Sequence, residues 1–164
     1  MVILGIDPGL ARLGYGVIEV DGDKRRVIQF GMLTTPAGVP MPKRLQQLWR
    51  GMNQLMDIYK PDEVAFEELF FSKNITTGIQ VAGARGVALA ACQSYTDRIF
   101  EYTPMQIKQA ITGYGNAEKK QMQQMVRMRL GLSEIPKPDD AADAVACAIT
   151  HAHAGVRREQ FRIG

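Results

Sequence analysis

Cysteine and histidine are both scarce, with two of each among 164 residues. Cys92 and Cys147 each lie inside an Ala-rich apolar segment that reads as helix. They read as small buried thiols of a reducing compartment, not as a disulfide framework or a metal site. His151 and His153 close the last helix, where the helix dipole favours cations, and neither is assigned a catalytic role. No charged-then-apolar leader opens the chain and no long apolar span runs through it, so secretion and a membrane helix are not expected and the cytoplasm is. A dominant charge is lacking too. Lysine and arginine total 20 against 17 aspartates and glutamates, a net charge of +3, with a pI near 8.9. That permits a nucleic-acid partner without requiring one. Repeats and low-complexity tracts are absent, and the length suits one domain with a proper core.

What is present is organised around the first sixteen residues, MVILGIDPGLARLGYG. Val2-Ile3-Leu4 reads as a strand buried on both faces. It runs into Gly5-Ile6-Asp7-Pro8-Gly9, which leaves a carboxylate where a core strand stops and a Pro-Gly turn begins. Asp7 is read either as a group that hydrogen-bonds its own turn or as a functional acid on a rigid frame. Leu13 to Val20 returns as a second strand, in which Gly14 and Gly16 would let another backbone or a ligand come close. Arg26 to Thr35 alternates as a third strand, completing an antiparallel meander. The run Leu45, Leu48, Trp49, Met52, Leu55, Met56 and Tyr59 predicts an amphipathic helix whose Met and Trp content is core packing. Glu63 to Phe66 is a short fourth strand ending in Glu67-Glu68. A helix follows from about Thr76 to Ala91, then a fifth strand from Ile99 to Tyr102. Thr103-Pro104-Met105-Gln106 is a capping box that opens a helix to about Thr112. Ala117 to Leu130 reads as a further helix, and Asp139 as the N-cap of a last one running from Asp140 to about Ala154. The expected class is α/β, a mixed five-stranded sheet covered by helices, with one domain over 1–154 and a basic, flexible tail over 155–164.

Asp140 and Asp143 lie three apart in the first turn of that last helix and share a face. Helix-dipole stabilisation accounts for Asp139 and Asp140. It accounts poorly for Asp143, which sits among Ala and Val where the pattern buries residues and where a carboxylate needs a partner. If the first and fourth strands are parallel neighbours, Asp7, Glu67, Asp140 and Asp143 converge. An all-oxygen set without His or Cys suits Mg²⁺ or Mn²⁺, and two such ions serve phosphodiester cleavage.

The segments GIDPGLARLGYGV, AFEELFFSKN, GARGVALAA, TPMQIKQAITGYGNAEKKQM and DDAADAVACAITHAH, in this order, resemble the RuvC family of bacterial Holliday junction resolvases. The resemblance runs from Met1 to about His153. It implies a ribonuclease-H-like fold, a homodimer, and Mg²⁺-dependent symmetric nicking of four-way DNA junctions in recombination and repair. It also implies branch-migration partners of the RuvA and RuvB type, and action at the nucleoid. Matched motif to motif, the family's acids fall on Asp7, Glu67, Asp140 and Asp143. Some members carry His where Asp140 stands, which leaves open whether Asp140 binds metal or handles a proton. Lys119, and with it Lys120, matches the family's basic helix start and would face the scissile phosphate. A solvated surface charge is the competing reading for Lys120. Lys108 would meet DNA backbone. Phe70 falls at the junction-facing position, with Phe71 turned inward, and Lys73, Asn74 and Arg85 are further DNA-contact candidates. The Gly- and Ala-rich helix from Thr76 to Ala91 is the expected dimer surface.

Three other readings compete. GIDPG…GYG also resembles the phosphate hairpin of actin-like ATPases, which need a second domain that this length does not supply. A junction-binding scaffold without catalysis is argued against by the presence of all four acids. A ribonuclease cutting RNA in hybrids uses similar acids and is disfavoured by the length of the motif match.

Overall fold

The computed structural model describes residues 1–69 and 74–164. Five strands form one sheet: β1 (Val2–Asp7), β2 (Arg12–Asp21), β3 (Lys24–Thr34), β4 (Glu63–Glu67) and β5 (Ile99–Tyr102), ordered β3-β2-β1-β4-β5. β1, β2 and β3 are an antiparallel meander, while β4 is parallel to β1 and β5 to β4. The helices are α1 (Met41–Tyr59), α2 (Ile75–Gln93), α3 (Pro104–Thr112), α4 (Lys119–Arg129) and α5 (Asp139–Ala154). The expected mixed sheet with helices on both faces is what forms.

Strand alternation decides which side chains meet which helices. Leu4, Ile6, Leu13, Val17, Val64 and Phe66 point to the face covered by α1 and α2. Ile3, Ile18, Ala65, Phe100 and Tyr102 point to the opposite face, under α3, α4 and α5. The same parity puts Gly5 and Asp7 of β1, Gly14 and Gly16 of β2, and Glu63 and Glu67 of β4 on the α5 side. The glycines matter there. A Cβ at Gly5 would lie 2.0 Å from the Ala144 carbonyl oxygen, and one at Gly14 would lie 2.0 Å from that of Asp140. The close approach read from Gly14 and Gly16 is therefore made by the backbone of α5, itself built largely of buried alanines.

Several local expectations hold. The Thr103 hydroxyl accepts from Gln106 N–H at 3.1 Å, and the Gln106 side chain accepts from Thr103 N–H at 2.9 Å, which completes the capping box. Both cysteines are free and buried. Other expectations are corrected. Asp139 is not an N-cap: Pro138 holds that position, and Asp139 is the first helical residue, with its carboxylate turned to side chains of α4. Trp49 is 40% exposed, because α1 buries Leu48, Met52, Leu55 and Met56 instead. The segment expected to be a flexible tail forms a 3₁₀ helix, Gly155–Phe161, seated on β5. The Phe161 ring lies 4.8 Å from that of Tyr102. Ile163 N–H donates to the Ile99 carbonyl at 3.0 Å, and Arg162 bridges to Phe100. Finally, α2 is long and apolar enough to span a membrane by length and composition. In this fold its inner residues Ala84, Ala88, Ala91 and Cys92 pack into the core, and its outer face carries Ile75 and Ile79, which are exposed.

Candidate active site

Parallel pairing of β1 with β4 brings Asp7 and Glu67 to one edge of the sheet, one step past the Ile6–Phe66 pair. Gly14, opposite Asp7 on β2, lets the first turn of α5 sit directly above, so Asp140 and Asp143 arrive from the facing layer. The four acids perturb one another. Asp7 is pushed up to about 8, first by burial and then by the charges of Glu67, Asp143 and Asp140, against the opposing pull of Lys119. Glu67 is pushed up to about 7 by burial and by Asp143, opposed by Lys119 and Lys108. Asp143 is likewise raised by burial, with Lys119 again opposing. Like charges held together in partial burial produce this pattern.

Basic and amide side chains reach the acids from two sides. Lys119 at the start of α4 places Nζ 3.3 Å from carboxylate oxygens of both Asp139 and Asp143. Gln123, one helical turn on, donates to Asp139 at 3.0 Å. Arg12 Nε lies 3.3 Å from Asp140 Oδ2. Asp143 Oδ1 is buried and has no hydrogen-bond partner among the described residues. A buried carboxylate oxygen without a donor, beside two carboxylates held well above their usual range, fits a divalent cation with oxygen ligands. Among the described residues no three acidic, histidine or cysteine side chains stand close enough together to hold a metal ion as they are.

Depressions flank the acids on two sides. One cavity, of about 230 Å³, is lined by Glu67, Asp143, Lys108 and Lys119, so Lys119, expected near the scissile phosphate, and Lys108, expected at the DNA backbone, share a space with two of the acids. The other, about 440 Å³, has Asp7 and Asp140 together with Arg12 and Arg44 on its walls.

The remaining candidates divide. Phe70, Phe71 and Lys73 lie outside the described residues. Asn74 caps α2, its side-chain oxygen accepting from Thr76 N–H at 3.1 Å and Thr77 N–H at 3.3 Å. Arg85 is not brought to the acids: it lies on the α2 face of the sheet, where its guanidinium donates to Glu101. Lys120 is exposed and lines a separate surface depression with Tyr114 and Gln124. Sequence reasoning missed Arg12, Asp139 and Gln123 as partners of the acids. It also missed a buried network at the opposite end of β4. There Glu63 accepts from Arg98 Nε at 2.8 Å and faces Arg158 Nε at 3.2 Å. His151 Nε2 lies 2.6 Å from Glu63, and its Nδ1 lies 2.7 Å from the Tyr102 hydroxyl. Two i, i+4 steps along α5 place His151 two turns beyond Asp143, which was the available signal.

Comparison with known proteins adds the context. Residues 3–151 match the family model described as crossover junction endodeoxyribonuclease RuvC. The chain is 50% identical over 163 residues to the protein of that name from Alkaliphilus oremlandii, covering 99% of each. It is 56% identical over 151 residues to the one from Rubrobacter xylanophilus, covering 92% of this chain and 84% of that relative. Among solved structures it is similar to Thermus thermophilus RuvC, with a TM-score of 0.89, 36% identity and 99% coverage of both chains. It matches T. thermophilus RuvC in complex with Holliday junction substrate at the same TM-score and identity, over 98% of this chain and 96% of that one. The yeast mitochondrial resolvase Ydc2, at 15% identity and a TM-score of 0.71 over 98% of this chain and 81% of that one, shares the fold.

Proposed function

The chain belongs to the RuvC family of crossover junction endodeoxyribonucleases, and we propose that it resolves four-way DNA junctions by paired, symmetric nicks made at the acidic edge of its sheet. The observation that supports this reading most directly is the convergence of Asp7, Glu67, Asp140 and Asp143 around the unpartnered Asp143 Oδ1. RuvC-family nucleases depend on a divalent metal. Mg²⁺, with Mn²⁺ as substitute, is the ion we propose, two per site. Bound among the acids, such ions supply an activated water and charge at the leaving oxygen.

The side chains divide the remaining work. Asp7, on the rigid end of β1, would serve both ions, Glu67 one of them, and Asp140 and Asp143 the other. Binding would displace the protons that burial leaves on Asp7 and Glu67 near neutral pH. Lys119 and Lys108 stand on the same cavity as Glu67 and Asp143, where a cation stabilises negative charge growing on the phosphoryl oxygens. For Phe70, which the motif implies faces the junction, stacking on an unpaired base is the role proposed.

Two cuts in strands of like polarity need two sites related by a two-fold axis. We propose a homodimer through the outer face of α2, whose exposed Ile75 and Ile79 form an apolar surface. Partners of the RuvA and RuvB type, and action at the bacterial nucleoid, belong to the same reading. Its test is a gel assay with a synthetic four-way junction and a matched linear duplex, each with Mg²⁺ and with EDTA. Paired nicks on the junction alone, and only with Mg²⁺, are expected. Cutting of the linear duplex at equal rate, or cutting in EDTA, would overturn the reading.

A further inference from the structure

The second depression beside the acids has no role in the account above. Its walls carry Arg12 from the start of β2, Arg44 from α1 and Thr77 and Gln80 from α2, and Asp7 and Asp140 face into it. An acidic floor alone would repel a polyanion, so the disposition of the two arginines decides what this groove can hold.

They are not equivalent. Arg44 is fixed: its Nε donates to the Thr35 hydroxyl at 2.9 Å, and that hydroxyl donates to the Leu10 carbonyl at 2.6 Å. It pins the β1–β2 turn against α1 and is a wall. Arg12 is held by one contact, the 3.3 Å ion pair to Asp140, and its side chain is 63% exposed. On the opposite flank Lys119 makes the matching contact, 3.3 Å to Asp143. Asp140 is thus met by an exposed cation from the β2 side, Arg12, and Asp143 by one from the α4 side, Lys119.

We propose that Arg12 is an exchangeable counter-cation and a metal-gated phosphate clamp. In the metal-free protein it neutralises Asp140. A divalent cation held by the acids repels the guanidinium and takes its carboxylate. The freed guanidinium then binds the backbone phosphate lying in the groove, beside the scissile linkage on the side away from Lys119. A guanidinium suits this, because its planar donors match phosphate oxygens in pairs. This inference rests on the acids binding metal and on junction DNA as substrate, as proposed above.

The test measures junction binding by fluorescence anisotropy for wild type, Arg12→Gln and Arg12→Lys, in Ca²⁺ and in EDTA, across a salt series. A denaturing gel confirms that the strands stay intact. In Ca²⁺, Arg12→Gln should weaken binding about tenfold and lower the salt slope by about one. In EDTA it should match wild type within about twofold, since Arg12 is then occupied by Asp140. Arg12→Lys should recover the slope and part of the affinity. Equal losses in Ca²⁺ and EDTA would overturn the exchange, and no loss in either would overturn the phosphate contact. Calorimetric titration of Mn²⁺ without DNA gives an independent readout. Arg12→Gln should bind the ion severalfold more tightly because its competitor is gone, and unchanged affinity would overturn the tie to Asp140. Failure of the resolvase reading shows elsewhere, as a wild type that neither prefers the junction nor nicks it with Mg²⁺, and would take this inference down with it.

Discussion

Replacing Gly14 with Ala is the smallest change that should dismantle the active site without touching an acid. The added Cβ would lie 2.0 Å from the Asp140 carbonyl oxygen and 2.4 Å from its carbonyl carbon. Both obstacles are backbone, so no side chain can rotate away. Clearing them requires the first turn of α5 to rise by about 1 Å at least, and the rest of the helix cannot follow freely. It is held at Gly5 and Gly16, where α5 packs equally close, 2.0 Å from Ala144 O and 2.5 Å from Val145 Cγ2 to the corresponding ideal Cβ positions. The helix therefore tilts at its acidic end, which carries Asp140 and Asp143 away from Asp7 and Glu67. A misplacement of about 1 Å in a catalytic constellation costs on the order of 100-fold in rate. Overpacking of this kind costs about 1–3 kcal/mol of stability, or roughly 3–10 °C in melting temperature for a chain of this size. The assay is single-turnover nicking of a four-way junction at saturating Mg²⁺, with circular dichroism to establish folding and anisotropy to establish binding. A folded Gly14→Ala that binds the junction and nicks within threefold of wild type would refute the claim that this contact sets the geometry of the acids.

The resolvase variant Asp7→Asn should lose nicking by at least about 1,000-fold while still binding the junction; residual nicking near wild type, or lost binding, would contradict the role given to Asp7. In EDTA, stability should fall as pH rises from about 4 to 8, because the folded chain keeps a proton on Asp7, at about 8, that the unfolded chain releases near 3.8. Urea midpoints should show that slope in wild type, lessened by Mg²⁺ and smaller in Asp7→Asn, where Glu67 still contributes, and a midpoint rising with pH relative to Asp7→Asn would refute it. Ile79→Glu on the exposed face of α2 should shift sedimentation toward monomer and abolish paired cutting, leaving single nicks; an intact dimer would move the interface elsewhere. His151→Ala should cost about 1.5–3 kcal/mol, since it removes a neutral hydrogen-bond donor from the buried Glu63 carboxylate, which keeps Arg98 and Arg158, and urea denaturation measures it, while nicking by the folded fraction stays unchanged.

Legibility in the sequence followed the range of the determinant. Asp7 at a strand end, the Thr103 cap and the amphipathic stripe of α1 are settled by a few neighbouring residues, and they were readable. The convergence of Glu67 with Asp7 was readable only on the supposition that β1 and β4 are parallel neighbours. What stayed hidden depended on partners far along the chain. The basic segment after Ala154 offers little apolar pattern, and only the Tyr102 ring under Phe161 and the β5 edge beyond Ile163 explain its seat. Arg12 reads as a surface charge until strand parity turns it toward α5. Asp139 has the composition of a cap, but Pro138 precedes it and Lys119 with Gln123 takes its carboxylate. Trp49 satisfies the helical period and still faces outward, because periodicity defines a stripe and not the width of the surface that covers it.

β4 supplies its own comparison between a buried acid whose charge is met and one whose charge is not. Glu63 and Glu67 begin and end the same five-residue strand and point to the same face, under the same helix. Burial works to raise both. At Glu63, donors from Arg98 and His151, aided by the charge of Arg158, more than reverse it, and the carboxylate sits below its usual range. His151 is itself held low by burial against the pull of Glu63, so a neutral ring accepts the Tyr102 O–H and donates to the carboxylate. The network is complete, and it anchors the C-terminal segment through Arg158. At Glu67 nothing reverses burial: Asp143 adds to it, Lys119 and Lys108 oppose it only in part, and the group stays at about 7. A fold that satisfies a buried glutamate so fully at one end of a strand leaves its twin uncompensated among the described residues at the other, and a divalent cation bound there would supply the positive charge that Lys119 and Lys108 do not.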